Sequence, residues 1–304
     1  MKISVIGAGN VGSTTALKLV QKNLADVVLV DIAEGVAEGK ALDIQHSVAV
    51  WNGESKIKGT TGISQISGSD IVIVTAGFPR KPGMNRDELL KTNENIIKSI
   101  SAEIKKHAPD SIVIVVTNPL DIMTYLALKK TGFPRERVLG MAGILDTSRF
   151  KALISEETKT NYNDIETMVL GGHNELMVPL VNQTTVSNRP LKDVLSSDKI
   201  EELLEKTRGI GKQIVEKSGS AYYAPSAAIV SMVEAIKNDT GKTLPISVHL
   251  EGEYNQNSIC MGVPVSLGKD GMKKIIELNL SEKERKALNN SAKTIKENIA
   301  RLKL

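Results

Sequence analysis

The first half of the chain alternates short apolar runs rich in β-branched residues with segments of helical periodicity. This alternation restricts the fold more than any other feature. The runs are typical of strands buried on both faces of a sheet, and they lie at Lys2–Ile6, Val27–Val30, Ile71–Val74 and Ile112–Val116. The helical segments lie at Asn10–Gln21, Glu34–Val48, Arg86–Lys106 and Leu120–Lys129. Repeated strand–helix units with right-handed crossovers predict an α/β fold built on a doubly wound parallel sheet.

The pattern changes past about Asp146 and predicts a second, α+β domain. Its predicted helices are Asp146–Ser155, Lys199–Lys217, Pro225–Lys237 and Ser281–Leu304, and its predicted strands are Ile165–Leu170, Leu244–Leu250, Ser258–Met261 and Val263–Leu267. Ser281 and Glu284 have the spacing of a capping box at the start of the last helix. We therefore predict two domains, residues 1–142 and 143–304, of which the second ends in a helix.

Composition excludes several classes of protein. The net charge of +4 is spread along the 304 residues without a dense basic block, which argues against a nucleic-acid partner. No apolar stretch approaches the roughly 20 residues that span a bilayer, so we expect no membrane partner. The single cysteine, Cys260, excludes an internal disulfide framework and fits a cytoplasmic protein. Histidine and acidic residues do not show ligand spacing on one element, so no metal is expected.

A glycine triplet follows the first predicted strand and opens the first predicted helix. Its G-x-G-x-x-G pattern is Gly7, Ala8, Gly9, Asn10, Val11 and Gly12. In a Rossmann domain the first glycine permits a tight turn, the second admits a pyrophosphate, and the third lets helix and strand pack closely. Asp31, 19 positions after Gly12, ends the second strand, where a carboxylate binds the adenine-ribose diol. The pattern favours NAD over NADP, although Asp31 could also simply cap the next helix.

The segment TAGFPRKPGMNR, Thr75 to Arg86, leaves the carboxyl end of a predicted strand. An open α/β sheet binds its ligand at this edge, and an arginine fork binds a carboxylate or phosphate at two points. The loop carries Arg80, Lys81 and Arg86. It is therefore a candidate anion-binding lid, although a solvated surface turn has similar composition.

Seven motifs in order give the chain its resemblance to a known family: GAGNVG, VLVDI, TAGFPRKPGMNRDELLKTN, VTNPLD, GILDTSRF, GGHNELMVPL and SAYYAP. Over nearly its whole length the chain resembles the lactate/malate dehydrogenase family, and most of all its malate dehydrogenases of the lactate-dehydrogenase-like class. The resemblance implies that His173 accepts the proton of the substrate hydroxyl. It also implies that Asp146 is the charge partner of His173 and that Arg149 holds the substrate C1 carboxylate.

The same resemblance assigns the remaining candidate residues. Arg86 would polarise the reacting carbonyl as the lid closes. Arg80 would pair with the second carboxylate of malate or oxaloacetate, where lactate dehydrogenases typically have glutamine. The cofactor half would contribute contacts that lie near the nicotinamide or line its site: Asn93, Val116, Thr117 and Asn118, of which Asn118 would also contact the substrate. The Asn118–Pro119 bond would be cis.

The function that the resemblance implies is NAD-dependent interconversion of (S)-malate and oxaloacetate, a tricarboxylic acid cycle reaction, by a homodimer or homotetramer. The predicted helices Glu34–Val48 and Lys199–Lys217 would be its contact surfaces. One departure from the family is that Asn174-Glu175 stands where Gly-Asp usually follows the histidine. A lactate or other 2-hydroxy-acid dehydrogenase is the nearest alternative. A dinucleotide-binding protein that has lost turnover is the alternative from another class.

Overall fold

A computed structural model describes residues 1–78 and 86–303, with the side chains of Arg86 and Asp87 left out of the description. Arg80 and Lys81 lie outside the described residues, so their predicted roles stay predictions. Arg86 begins a helix, as predicted.

Six parallel strands form the first part of the main sheet: β1 (Lys2–Ile6), β2 (Asp26–Val30), β3 (Ile57–Thr60), β4 (Ile71–Val74), β5 (Ile112–Val115) and β6 (Val138–Gly140). Their spatial order is β3-β2-β1-β4-β5-β6. Strands β2 and β3 are thus added on one side of β1, and β4 to β6 on its other side, so the order of strand addition reverses between β1 and β4. This order is that of a Rossmann domain, and the reversal is where such sheets bind a dinucleotide. The predicted α/β class is confirmed.

The remaining strands are short or antiparallel: β7 (Ile165–Glu166), β8 (Val169–Leu170), β9 (Val178–Pro179), β10 (Thr185–Val186), β11 (Arg189–Pro190), β12 (Thr243–Glu251), β13 (Asn257–Gly268) and β14 (Gly271–Ile275). Strand β12 pairs antiparallel with β6 through Ser247 and Gly140, and β13 and β14 continue the same sheet. The nine described strands of this sheet therefore join the parallel half to the second half of the chain.

The helices are α1 (Asn10–Gln21), α2 (Val36–Val50), α3 (Arg86–His107), α4 (Leu120–Thr131), α5 (Gly143–Thr158), α6 (Leu191–Val194), α7 (Ser197–Ser218), α8 (Tyr223–Lys237) and α9 (Glu282–Ile299). Helices α1, α2 and α8 share one apolar core with β1 and β12, whereas α3 and α4 share another with the opposite face of the sheet. Because strand side chains alternate, Val5 enters the first core and Ile6 the second. The capping box at Ser281 and Glu284 is confirmed.

Three sequence predictions about the second half were wrong in detail. The single strand predicted at 165–170 is two strands, because β7 pairs with β10 whereas β8 pairs with β9. The break predicted near Gly262 is absent from β13, which runs continuously from Asn257 to Gly268. The last helix ends at Ile299 rather than at the chain terminus.

Candidate active site

The glycine loop between β1 and α1 has the close approaches that the sequence predicts. Gly7 has φ +105°, and a Cβ there would lie 2.6 Å from the backbone nitrogen of Ala76. A Cβ on Gly12 would overlap the carbonyl oxygen of Gly7. Around Gly9, by contrast, no described atom lies within 4 Å of a Cβ position. The first and third glycines therefore satisfy packing, whereas the second leaves open space at the N-terminus of α1 where a phosphate can bind.

Asp31 follows β2 at the same edge of the sheet. Its Oδ2 accepts a 2.7 Å hydrogen bond from the backbone N–H of Ala8, and its Oδ1 accepts a 3.0 Å bond from the N–H of Ala33. Lys40 of α2 donates to the carbonyl oxygen of Ala8 at 2.6 Å. The carboxylate therefore fastens the glycine loop to the end of β2, and its predicted contact with the ribose remains a prediction.

The ends of β4 and β5 are joined by polar side chains. Thr117 donates from Oγ1 to the carbonyl oxygen of Ala76 at 2.6 Å. Buried Asn93 of α3 accepts from the N–H of Phe78 at 2.9 Å and donates from Nδ2 to the carbonyl oxygen of Asn118 at 2.7 Å. Asn93 thus ties together two segments that flank the site, a role that sequence reasoning missed. Its predicted contact with the cofactor stays a prediction.

His173 and Asp146 form the central pair of the site. His173 lies three residues after β8 and only 14% of its side chain is exposed, whereas Asp146 lies in the first turn of α5 with 2% of its side chain exposed. His173 Nδ1 lies 2.7 Å from Asp146 Oδ2. Because an ionised carboxylate only accepts hydrogen bonds, this contact places the imidazole proton on Nδ1. The lone pair of neutral His173 is then on Nε2, where it can accept a proton.

Charge and burial act on His173 in opposite directions. Burial is the largest influence and by itself lowers the pKa of His173, but the negative charge of Asp146 and its hydrogen bond raise it. Asp121 raises it further and Arg149 opposes both, and the resulting pKa of His173 is above its ordinary value. The pair therefore stabilises the imidazolium that forms when Nε2 takes a proton.

Arg149 supplies the cation of the described site. It lies three residues after Asp146 on α5, and its Nη1 is 3.5 Å from Asp146 Oδ1. Only 13% of the side chain is exposed. Burial lowers the pKa of Arg149, and the charge of Asp146 partly opposes that effect. A half-paired guanidinium in such a setting is well suited to bind a carboxylate with two parallel hydrogen bonds.

The other predicted residues of the site are placed as follows. Asn118 is exposed at the end of the β5 segment, and its peptide bond to Pro119 is cis, as the resemblance implies. Val116 is half-buried and packs against the core beside Thr117. In the described part of the chain, no group of three histidine, cysteine or acidic side chains is arranged to hold a metal.

Two family models cover almost the whole chain. The NAD-binding domain of lactate/malate dehydrogenases matches residues 1–140, and the α/β C-terminal domain of the same enzymes matches residues 144–303. The chain belongs to the lactate/malate dehydrogenase family. The expectation from the seven motifs is thus confirmed, and the second half of the chain is the family's C-terminal domain.

Individual members of the family agree with this assignment. The malate dehydrogenase of Methanosarcina barkeri is 51% identical over 100% of this chain and 99% of its own length. The structure of Cryptosporidium parvum malate dehydrogenase superposes with a TM-score of 0.96 at 41% identity, covering 99% of this chain and 98% of that one. A C. parvum lactate dehydrogenase with lactic acid and nicotinamide adenine dinucleotide also superposes at 0.96, with 40% identity and coverage of 99% and 97%. The family fold therefore does not by itself distinguish lactate from malate.

The turn after His173, where this member departs from the usual family sequence, keeps its hydrogen bonds. Asn174 Oδ1 accepts from the N–H of Leu176 at 2.7 Å, and its carbonyl oxygen accepts from the N–H of Met177 at 3.1 Å. The left-handed conformation in this segment is at Gly171, with φ +85°, and Asn174 has a negative φ. The turn therefore needs no glycine at 174, and asparagine fits because its side chain closes the turn.

Sequence reasoning missed the residues that hold the His173 segment in place. Asp121 accepts from the His173 N–H at 2.8 Å, and Ser291 accepts from the Gly172 N–H at 2.8 Å. Asp121 lies within the family motif VTNPLD, so its position was visible, but nothing in the sequence indicates its contact with a residue 52 positions away.

Proposed function

We propose that the chain is an NAD-dependent malate dehydrogenase that interconverts (S)-malate and oxaloacetate. The observation that carries the proposal is the buried His173–Asp146 pair, whose side chains are 2.7 Å apart, together with Arg149, which lies on the same helix as Asp146. This set supplies a base, a group that stabilises the protonated base, and a carboxylate-binding cation. The malate dehydrogenases of similar sequence support the choice of substrate.

The residues would act in the following way during malate oxidation. Arg149 holds the C1 carboxylate and so fixes the hydroxyl of C2 near His173. As the C–H bond of C2 breaks, His173 Nε2 removes the hydroxyl proton, and Asp146 stabilises the imidazolium that results. NAD⁺, when bound, supplies the acceptor for the hydride that leaves C2. In oxaloacetate reduction, protonated His173 returns the proton to the carbonyl oxygen.

Selection between a dicarboxylate and a monocarboxylate is proposed for Arg80. By the resemblance, this side chain would contact the second carboxylate and Arg86 would contact the reacting carbonyl. Closure of both arginines over the site would exclude water and strengthen their ion pairs. The open space beside Gly9 and the position of Asp31 support NAD as the dinucleotide, because a carboxylate there repels a 2′-phosphate.

One assay separates the alternatives. NADH oxidation is measured with oxaloacetate and with pyruvate, and each is repeated with NADPH. We expect turnover with oxaloacetate and NADH to exceed the other three combinations. Arg80→Gln should lower kcat/KM for oxaloacetate far more than for pyruvate, with Lys81→Gln on the same loop as a control for loss of charge. An unchanged preference between the keto acids would refute the role of Arg80, and NADH binding without any turnover would support a binding protein instead.

We also propose that the protein is a homodimer or homotetramer, cytoplasmic, with domains at 1–142 and 143–304. Helix α2 leaves Leu42 61% exposed and Val50 83% exposed, and α7 leaves Val215 48% exposed. Apolar side chains at these positions support burial against a second copy. Among the described residues no helix is long and apolar enough to cross a membrane. Sedimentation velocity of the wild type and of Leu42→Glu tests the assembly, and monomeric wild type would refute it.

A further inference from the structure

Asp121 is a buried carboxylate directly behind the His173 segment. It lies in the first turn of α4, and only 2% of the residue is exposed. Its Oδ2 accepts the hydrogen bond from the His173 N–H at 2.8 Å, and its Oδ1 accepts one from the Ser247 hydroxyl at 2.7 Å. Both partners donate, which is the arrangement that an ionised carboxylate requires. The N-terminus of α4 further favours a negative charge at this position.

The bond to Asp121 is the last of three that fasten consecutive amides. Gly171 donates to the carbonyl oxygen of Gly262 at 2.8 Å, Gly172 donates to Ser291 Oγ at 2.8 Å, and His173 donates to Asp121. The three acceptors lie on β13, α9 and α4, which are distant in sequence. The backbone that leads to the His173 side chain is thus held by a hydrogen bond at each of three consecutive amides, those of residues 171 to 173.

Asp121 also acts through charge. Among the residues that the structure describes, the charged groups that act on His173 are Asp146, Arg149 and Asp121, and those that act on Asp121 are His173 and Asp146. Burial raises the pKa of Asp121 above its ordinary value, and its two hydrogen-bond donors oppose that effect only in part. Buried Cys260 of β13 lies near enough for the negative charge of Asp121 to add to the effect of burial in raising the pKa of the thiol. Because both hydrogen-bond partners of Asp121 are donors, we assign its carboxylate as ionised, which makes it a second negative charge near the imidazole besides Asp146.

We propose that Asp121 is a positioning residue for His173: it anchors the His173 amide from α4, and its negative charge favours the imidazolium. The proposal rests on the proposed function, in which His173 exchanges a proton with the substrate. Asp146 orients the ring through Nδ1, whereas Asp121 fixes the backbone beneath it. The two carboxylates thus position different parts of His173, its ring and its backbone.

The test compares Asp121→Asn with Glu284→Gln, which makes the same carboxylate-to-amide change at another buried position. For Asp121→Asn we expect kcat of oxaloacetate reduction to fall about tenfold or more, because small displacements of a catalytic group are costly. The alkaline limb of its pH profile should move to lower pH, because reduction needs protonated His173 and a negative charge has been removed. NADH affinity should stay at the wild-type value. Glu284→Gln should match the wild type in all three measurements.

A titration of 15N-labelled histidine gives a readout independent of turnover. Among the four histidines, the His173 signal is assigned from its loss in His173→Gln. Its midpoint should move to lower pH in Asp121→Asn. If kcat, the pH limb and the titration all match the wild type, the proposal is overturned.

A second variant covers the case in which Asp121→Asn does not fold. Ser247→Ala removes the donor to Oδ1. Because Ser247 acts on His173 only through Asp121, kcat should fall about threefold to tenfold, the net contribution of an ordinary hydrogen bond, without loss of NADH affinity. Wild-type kcat in Ser247→Ala would then refute the anchoring role. Full turnover in His173→Gln is a different result, because it would refute the proposed function itself.

Discussion

Replacing Asp146 by asparagine is the sharpest perturbation of the proposed base. The change keeps the size of the side chain but removes the negative charge that faces His173 Nδ1 at 2.7 Å. An amide can also turn its NH2 group toward Nδ1, which moves the imidazole proton to Nε2 and occupies the atom that should accept the substrate proton. Both effects oppose formation of the imidazolium.

The geometry sets the size of the expected effect. A hydrogen bond to a charged group is worth about 1.5–3 kcal/mol, and the upper end applies here because only 2% of the Asp146 side chain is exposed to screening water. Since about 1.4 kcal/mol corresponds to a factor of ten in rate, this loss alone predicts a decrease in kcat of roughly 100-fold. The change of tautomer adds to it. The KM for oxaloacetate should change less than about threefold, because Arg149 keeps its place and loses only a contact at 3.5 Å.

The assay is the initial rate of NADH oxidation across pH, with NADH affinity measured by fluorescence. Without Asp146 the pKa of His173 falls, so the alkaline limb of oxaloacetate reduction should move to lower pH. Asp270→Asn, at an exposed turn between β13 and β14, serves as the control and should keep wild-type rates. A kcat for Asp146→Asn within threefold of the wild type, with normal NADH binding, would refute the reasoning.

Three further predictions follow from other contacts. Gly12→Ala should weaken NADH binding and lower the melting temperature, because the new Cβ would overlap the Gly7 carbonyl oxygen. Fluorescence titration measures the NADH affinity and calorimetry the melting temperature, and Gly39→Ala, with open space around its Cβ, is the control. Asp31→Ser should raise kcat/KM for NADPH relative to NADH, and an unchanged ratio would argue that Asp31 only caps the loop. Burial lowers the pKa of His249 below its unfolded value, so the protein should lose stability as the pH falls below about 6.5. In urea unfolding, the free energy of unfolding should fall less steeply with decreasing pH for His249→Phe than for the wild type, and equal slopes would contradict this account.

The parallel half of the fold was predictable because its strands are buried on both faces. Runs such as Ile71–Val74 and Ile112–Val115 are wholly apolar, and each is buried along its whole length. Strand β3 escaped prediction because its sequence, IKGT, has one apolar residue at the edge of the sheet. Strand β6 has only three residues, too few for a periodic signal. Local sequence thus predicts strands that are buried along their whole length. It misses strands such as β3 and β6, which form because they pair with a neighbouring strand.

The candidate site was predictable only in part, and for a different reason. The glycine loop and Asp31 follow strands directly, so their chemistry can be derived from local order. His173 and Asp146 are 27 residues apart, and only the family resemblance associated them before the structure placed them in contact. The contacts of Asp121 with Ser247, across 126 residues, and of Gly172 with Ser291, across 119, have no local signature.

The joint between the two halves of the sheet explains why these distant groups meet near His173. Strand β6 ends the parallel half at Gly140, where a Cβ would lie 2.8 Å from a methyl carbon of Leu120 and 2.9 Å from Ser247 Cβ. Because glycine leaves that space free, the start of α4 approaches the β6–β12 pair closely, and Asp121 comes within hydrogen-bond reach of Ser247. The same carboxylate then accepts from the His173 amide. A larger residue at 140 would separate α4 from β12, so the position of the proposed base depends on a glycine that has no part in the proposed chemistry.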